Sequence, residues 1–207
     1  MCLNGSPLES VPTFKYLGVL LSSDLTWSKH VQSICSRARQ LIGLLYRRYY
    51  QYSDCNTLLQ LYLSLVRPHT EYAAPVWDPH LLSDINSLES VQKFALCVCC
   101  KQWDTAYSEL LSWSNVPSLE NRRLYLKLCH LFKIVNNICY FPPGIVVPNT
   151  NLSHSSRSIL LQQPFCRTTS FRHSFAPNSV HTWNCLPEEV VMAPSLNSFK
   201  TSVGLFT

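Results

Sequence analysis

The sequence predicts a mainly α fold: a helical bundle with a remnant N-terminal β-strand and a small C-terminal annex. Three observations carry this. After Ser118, the residues Leu124, Leu128, Leu131, Val135 and Ile138 recur at alternating four- and three-residue steps, the spacing that keeps side chains on one face of a helix. Between Trp27 and Tyr49, Val31, Ile34, Ala38, Leu41, Leu45 and Tyr49 keep the same period, while Ser33, Arg37, Gln40, Arg47 and Arg48 fall on the opposite side. Only one stretch in the first two thirds, Phe14 to Leu21, has the aromatic and branched run of a buried strand, bounded by Pro12 and Ser22-Ser23.

Four segments follow: 1–23, a strand; 24–141, the helical bundle; 142–163, a linker; and 164–207, the annex. Asp24 or Thr26 is placed to cap the first helix. A second begins at Ser53 or Asp54, carries Leu58, Leu61, Tyr62 and Leu65 inward, and is kinked or stopped at Pro68. Pro75-Val76-Trp77-Asp78-Pro79 then reads as a turn. Ser83 can cap a third helix whose buried stripe is Leu88, Val91, Ala95 and Val98, and Ser118, after Pro117, starts the helix with the leucine spine, ended by Pro142-Pro143-Gly144. Asn149 to Ser158 is Ser/Asn-rich and reads as linker. Residues 174–186 and 195–206 form two short amphipathic helices about Leu186-Pro187.

Composition narrows the function. Charged residues are 14% of the chain, against about 25% in an average soluble domain, so the surface is short of solubilising charge and suits a covering partner. The net charge of +5 is spread along the chain and is compatible with nucleic acid without demanding it. The N-terminus has no export signal, the longest apolar run is Phe94 to Cys100, and a membrane helix needs roughly 20 residues. The expected setting is cytoplasmic or nuclear, with the ten cysteines mostly reduced. Asn4-Gly5-Ser6 and Asn151-Leu152-Ser153 match the glycosylation pattern, which is idle without secretion.

Three ordered stretches carry a family resemblance. Phe14-Lys15-Tyr16-Leu17-Gly18-Val19 with Leu25-Thr26-Trp27-Ser28-Lys29-His30-Val31 resembles the segment after the catalytic palm of jockey- and CR1-like LINE (non-LTR retrotransposon) reverse transcriptases. Val66-Arg67-Pro68-His69-Thr70-Glu71-Tyr72-Ala73-Ala74-Pro75-Val76-Trp77 and Leu88-Glu89-Ser90-Val91-Gln92-Lys93 resemble their post-palm helical region. Ser174-Phe175-Ala176-Pro177, Trp183-Asn184-Cys185-Leu186-Pro187 and Ser198-Phe199-Lys200 are similar to the close of such reading frames.

The resemblance implies a primer-grip, thumb and post-thumb region that holds RNA/DNA template-primer through its backbone while the polymerase palm copies RNA into DNA. Such palms hold Mg²⁺ on paired carboxylates, because the attacking and leaving oxygens both need charge neutralisation. This chain has no Asp-Asp pair: Asp24, Asp54, Asp78, Asp84 and Asp104 are scattered. The family's Tyr-X-Asp-Asp motif would lie upstream of Phe14, as would its endonuclease. The expectation is therefore a non-catalytic part of such a polymerase, with no cofactor of its own. The rivals are a domesticated protein-interaction module, a relic without selected function, and an enzyme whose remaining chain lies outside this sequence.

Candidate contact residues come from this resemblance for the N-terminal strand and first helix, and from residue types and spacing for the rest. Lys15 and Gly18 match the primer-grip strand, the alternative being an ordinary buried strand. Lys29, Arg37, Arg47 and Arg48 lie on the first thumb helix and suit phosphates, against a merely solvated helix face. Arg167 and Arg172, with His173 among Phe165, Phe171 and Phe175, suit stacking on single-stranded RNA or else belong to a half-buried strand. Cys97 and Cys100 with Cys129 and His130 have zinc-ligand types, but no second Cys-x2-Cys or His-x3-5-His pair exists, and a thiol-lined helix is the simpler reading. His69 and His80 flank Trp77 without a nucleophile at suitable spacing.

Overall fold

The computed structural model describes residues 2–3, 6–7, 10–149 and 160–204. Two short antiparallel hairpins, β1 (Cys2–Leu3) with β2 (Ser6–Pro7) and β3 (Thr13–Tyr16) with β4 (Val19–Ser22), precede the helices. The mainly α expectation holds, but the single buried strand does not. Leu17 and Gly18 both take positive φ, 45° and 85°, as a two-residue hairpin turn requires, and the run folds back on itself. Phe14, Tyr16 and Leu17 are consequently 58%, 60% and 73% exposed.

Helix α1 (Ser28–Tyr49) buries Val31, Cys35, Ala38, Ile42 and Leu45, while Ile34 and Leu41 of the expected stripe are half-buried and Tyr49 is exposed. Its expected cap is absent: the Asp24 carboxylate accepts instead from the Thr26 amide and hydroxyl, at 3.1 and 3.0 Å. Helix α2 (Cys55–Leu61) is capped by Asp54, which accepts from the Thr57 amide at 3.2 Å. The chain then widens into a π-turn at Tyr62–Val66 and continues as α3 (Arg67–Glu71). Pro68 has no N–H to donate, and it falls in the first turn of α3, where none is needed; it interrupts the α-helical winding without ending the rod.

The stretch read as a turn is a short helix, α4 (Ala74–Trp77), entered through Ala73 at φ 53°. Trp77 is fully buried, and its indole N–H donates to the Tyr72 carbonyl at 2.6 Å. Helix α5 (Leu82–Cys100) buries the whole predicted stripe, although its first turn has no side-chain cap from Ser83. Its start is fixed by Asp84, which accepts from the Ser28 hydroxyl at 2.7 Å. Helix α6 (Tyr107–Ser114) had no distinct signal in the sequence.

Helix α7 (Leu119–Val135), capped by Ser118, joins two cores. Leu119 packs with α1, α2, α4, α5 and α6. Leu128, Leu131 and Phe132 face the other way, against Val180, Trp183, Phe199 and Val203 of the C-terminal segment. That segment is α8 (Thr169–Arg172), α9 (Phe175–Cys185), α10 (Glu188–Val191) and α11 (Leu196–Val203). Leu161, from the stretch read as linker, is buried in this second core; residues 150–159 of that stretch, the Asn4 and Asn151 glycosylation patterns, and the end of the last expected helix lie outside the described residues. Ile138, expected on the spine, is exposed because the helix ends at Val135. The half-buried strand considered over 165–175 is instead an exposed loop leading into α8.

A polar chain crosses the first core. The Tyr62 hydroxyl donates to Gln92 at 2.7 Å, and the Gln92 amide donates to the Pro117 carbonyl at 2.8 Å. Gln92 also donates to the Tyr107 hydroxyl, at 3.2 Å, and Tyr107 donates onward to Glu89. Glu89 in turn accepts from the amides of Leu119 and Glu120, so a carboxylate from α5 satisfies free donors at the start of α7. The polar side chains of this network thereby satisfy one another, which is what low-dielectric burial demands.

Candidate nucleic-acid interface

The basic face of α1 is built by helix geometry. Val31, Cys35, Ala38, Ile42 and Leu45 commit one side to the core, which leaves Lys29, Arg37, Arg47 and Arg48 on the outside. All four are exposed, and none makes an ion pair among the described residues. From Lys29 to Arg48 the helix rises roughly 28 Å at ~1.5 Å per residue, a length that reaches several phosphates of one strand. Arg39 is turned away from this row and donates to the Ser90 hydroxyl at 3.2 Å.

Lys15 and Gly18 sit on the β3–β4 hairpin at the N-terminal end of α1. The hairpin is held there by two contacts: the Leu20 amide donates to His30 Nδ1 at 3.3 Å, and the Tyr72 hydroxyl donates to the Leu17 carbonyl at 3.0 Å. His30 is buried against Trp77, with ring centroids 5.1 Å apart, and burial lowers its pKa. Gly18 thus has a structural reason of its own. Its φ is +85°, and a Cβ there would meet the Tyr72 ring at 3.3 Å.

Arg167 and Arg172 lie apart from the α1 row, on the exposed surface around α8. A cleft of about 300 Å³ separates α8 from the loop before α1 and from α4; Leu25, Trp27, Val76, Phe171 and His173 line it. Across it His80 stacks on His173, centroids 4.4 Å apart and planes 7° from parallel. The pKa of His173 is lowered, first by burial and then by the neighbouring His80, Arg172 and Lys127. The structure therefore places the site residues in two groups, hairpin with α1 and α8 with its loop. His69 is exposed on α3.

The cysteine set divides between the two cores. Cys97 is buried in the first and Cys129 in the second. Among the described residues no three His, Cys, Asp or Glu side chains converge as a metal-binding group. Burial raises the thiol of Cys99 to about 12, with Cys100 and Cys55 adding to the shift. No helix of the described residues is long and apolar enough to cross a membrane.

The ionic framework was not legible as a site. Asp78 accepts from Arg123 Nε at 2.7 Å and from Lys127 Nζ at 2.5 Å, and Lys127 also donates to Asn178 at 2.9 Å. Glu71 accepts from Arg67 and, through both oxygens at 3.0 Å, from Arg122. These pairs lock the 66–78 stretch onto α7. The only signal in the sequence was an acidic residue at the end of α3, another just after α4, and basic ones on the leucine-spine helix, a pattern common to many surface helices.

Comparison with known proteins gives two relatives. Over 103 residues the chain is 30% identical to a probable RNA-directed DNA polymerase from the transposon X-element of Drosophila melanogaster. The match takes 47% of this chain and 11% of that protein, so the chain spans about a tenth of its length. Over 142 residues it is 24% identical to an uncharacterized protein of Caenorhabditis elegans, with 65% of this chain and 69% of that one covered. No family model matches, and no solved structure matches. Part of the chain is thus similar to a retrotransposon polymerase.

Proposed function

We propose that this chain is a non-catalytic, post-palm portion of a LINE-type reverse transcriptase, with a thumb-like role in gripping template-primer nucleic acid through its backbone. The observation that carries the reading is the outer face of α1, where Lys29, Arg37, Arg47 and Arg48 stand exposed opposite a fully committed apolar stripe. The similarity to the X-element polymerase supplies the setting. Contact with phosphates is electrostatic and independent of base sequence.

Four of the five aspartates, Asp24, Asp54, Asp78 and Asp84, do not fit the Mg²⁺ site of a polymerase palm. Asp24 and Asp54 accept from local backbone amides, Asp84 is bonded to Ser28, and Asp78 is bonded to Arg123 and Lys127. Each of these four is engaged by a partner other than a second carboxylate, unlike the carboxylate pair that two-metal chemistry uses. In this reading the palm is a partner, and the exposed hairpin residues Phe14, Tyr16 and Leu17 are part of the surface that meets it. Lys15 then lies beside the primer.

The test is a salt titration of template-primer duplex binding by fluorescence anisotropy. Affinity of roughly micromolar or weaker at physiological salt is expected, falling as salt rises. Arg37→Gln, Arg47→Gln and Arg48→Gln together are expected to flatten the slope by about two to three units, with helix content by circular dichroism intact. An unchanged slope, or no binding in low salt, overturns the reading. Primer extension with Mg²⁺ or Mn²⁺ is expected to stay at the heat-killed background.

A further inference from the structure

The far end of α1 carries a feature that the basic row does not use. Tyr46 and Tyr50 lie one turn apart, with ring centroids 4.6 Å apart. The indole of Trp103, in the loop after α5, meets Tyr46 at 6.2 Å and 82°, and Phe94 of α5 meets Trp103 at 6.2 Å and 51°. The Trp103 N–H points to the Tyr50 hydroxyl at 3.4 Å. Three elements thus contribute rings to one surface cluster.

Tyr50 is half-buried against the first core, and the other three rings lie outside it. Trp103 is 48% exposed, and Tyr46 and Phe94 are exposed as well. The rings meet at tilted and perpendicular angles and do not form one closed stack, and the exposed parts of Trp103, Tyr46 and Phe94 remain in contact with water. Isolated exposed apolar residues need no explanation, but a contiguous aromatic group does.

The charges beside the cluster select its occupant. Lys101 Nζ lies 5.3 Å from the Tyr50 ring centroid and donates to the Ser53 carbonyl at 2.9 Å, which fixes it at the rim. The Arg47 guanidinium folds back over Gly43, 3.4 Å from where a Cβ would stand, on the turn that carries Tyr46. Neither cation has an ion-pair partner among the described residues. Open π-faces with unpaired cations at their edge match a chain of bases on a phosphate backbone, and a duplex hides the base faces that such rings need. A protein partner with acidic and apolar residues fits the charges less specifically, since it makes no use of open ring faces.

We infer that Tyr46, Tyr50, Phe94 and Trp103, flanked by Arg47 and Lys101, form a stacking platform for single-stranded nucleic acid at the C-terminal end of α1. The inference deepens the nucleic-acid reading above by naming a second, unpaired strand as ligand, separate from the duplex row. Arg47 adjoins both surfaces, so the variants that separate them avoid it.

The experiment measures the full chain against a twelve-nucleotide oligo(dT) and against a twelve-base-pair duplex, by anisotropy and by tryptophan emission. Oligo(dT) is expected to quench tryptophan emission in the unmodified chain, and Trp103→Leu is expected to abolish that quenching and weaken oligo(dT) binding about tenfold or more. Lys101→Gln is expected to weaken oligo(dT) binding less and to lower its salt slope by about one unit. Duplex binding is expected to survive Trp103→Leu and to respond to Arg37→Gln with Arg48→Gln, so a failure of the platform is distinguishable from a failure of the duplex row. Trp103 lies in an exposed loop, and unchanged helix content confirms that its variant is folded. Equal oligo(dT) affinity with and without Trp103, or no oligo(dT) binding by the unmodified chain in low salt, overturns the inference. Concentration-dependent emission that Trp103→Leu removes, without any oligonucleotide effect, assigns the surface to protein contact and overturns it too.

Discussion

Asp78, the residue that follows α4, holds the buried guanidinium of Arg123 at 2.7 Å across 45 positions of sequence. Arg123 is 1% exposed, its two terminal nitrogens are buried without a hydrogen-bond partner, and Lys127 reaches the other Asp78 oxygen. One carboxylate therefore compensates two buried cations between the two cores. Removing one member of a buried ionic group leaves the others uncompensated, which costs about 3–5 kcal/mol. Asp78→Ala is expected to lose stability in that range by urea denaturation, and the triple change Asp78→Leu, Arg123→Met, Lys127→Met is expected to recover most of it. A mild effect of Asp78→Ala, below ~1 kcal/mol, would show that water reaches the group.

Gln92 is fully buried, and its amide is used at both ends, by Tyr62 on one side and by Tyr107 and the Pro117 carbonyl on the other. Gln92→Leu keeps approximate volume but strands those partners, at about 1–3 kcal/mol for each buried group left unsatisfied. A lower midpoint in thermal unfolding is expected. A combined Gln92→Leu and Tyr62→Phe chain should recover part of the loss, since one stranded hydroxyl is gone; an identical midpoint for the two chains would remove Tyr62 from the network.

Gly18→Ala tests the hairpin rather than the bundle. A side chain at φ +85° in contact with Tyr72 costs about 1–2 kcal/mol. Amide exchange in β3 and β4 is expected to accelerate while α5 and α7 keep their protection. Faster exchange throughout the bundle would mean that the hairpin is part of its cooperative unit.

Glu71 carries a pH dependence. Burial alone would raise its pKa, but the hydrogen bonds and charges of Arg122 and Arg67 outweigh burial and hold it below the ordinary 4.5. A carboxylate depressed in the folded state stabilises above its unfolded value and loses that contribution as pH falls through the lower folded value. Acid unfolding of the unmodified chain is therefore expected to steepen below about pH 4.5, and Glu71→Gln to flatten that limb while lowering stability at pH 7. An acid limb of the same slope in Glu71→Gln would assign it to other carboxylates.

By itself the sequence determined the helices whose apolar period is long: α5 buries the whole stripe that its spacing dictates, and α1 and α7 bury only part of theirs, with Tyr49 and Ile138 exposed, because a 3.6-residue period admits one buried face. It determined the exposed row Lys29, Arg37, Arg47 and Arg48 for the same reason, by exclusion from that face. The helix starts near Asp54 and Ser118 were legible because the capping side chains act within three residues, whereas the caps expected from Asp24 or Thr26 and from Ser83 are absent. What only the tertiary structure decided depends on distant partners. The Phe14–Leu21 run has strand propensity, yet its Leu17-Gly18 turn makes it a hairpin with an exposed side, since no further strand of the described residues pairs with it. The 66–78 stretch read as a kink and a turn is instead the junction of the fold, held by Arg122 and Arg123 from a helix some 50 residues away. The platform of Tyr46, Tyr50, Phe94 and Trp103 likewise exists only after α1 and α5 pack side by side, because no periodicity within one element can show that rings from three elements meet.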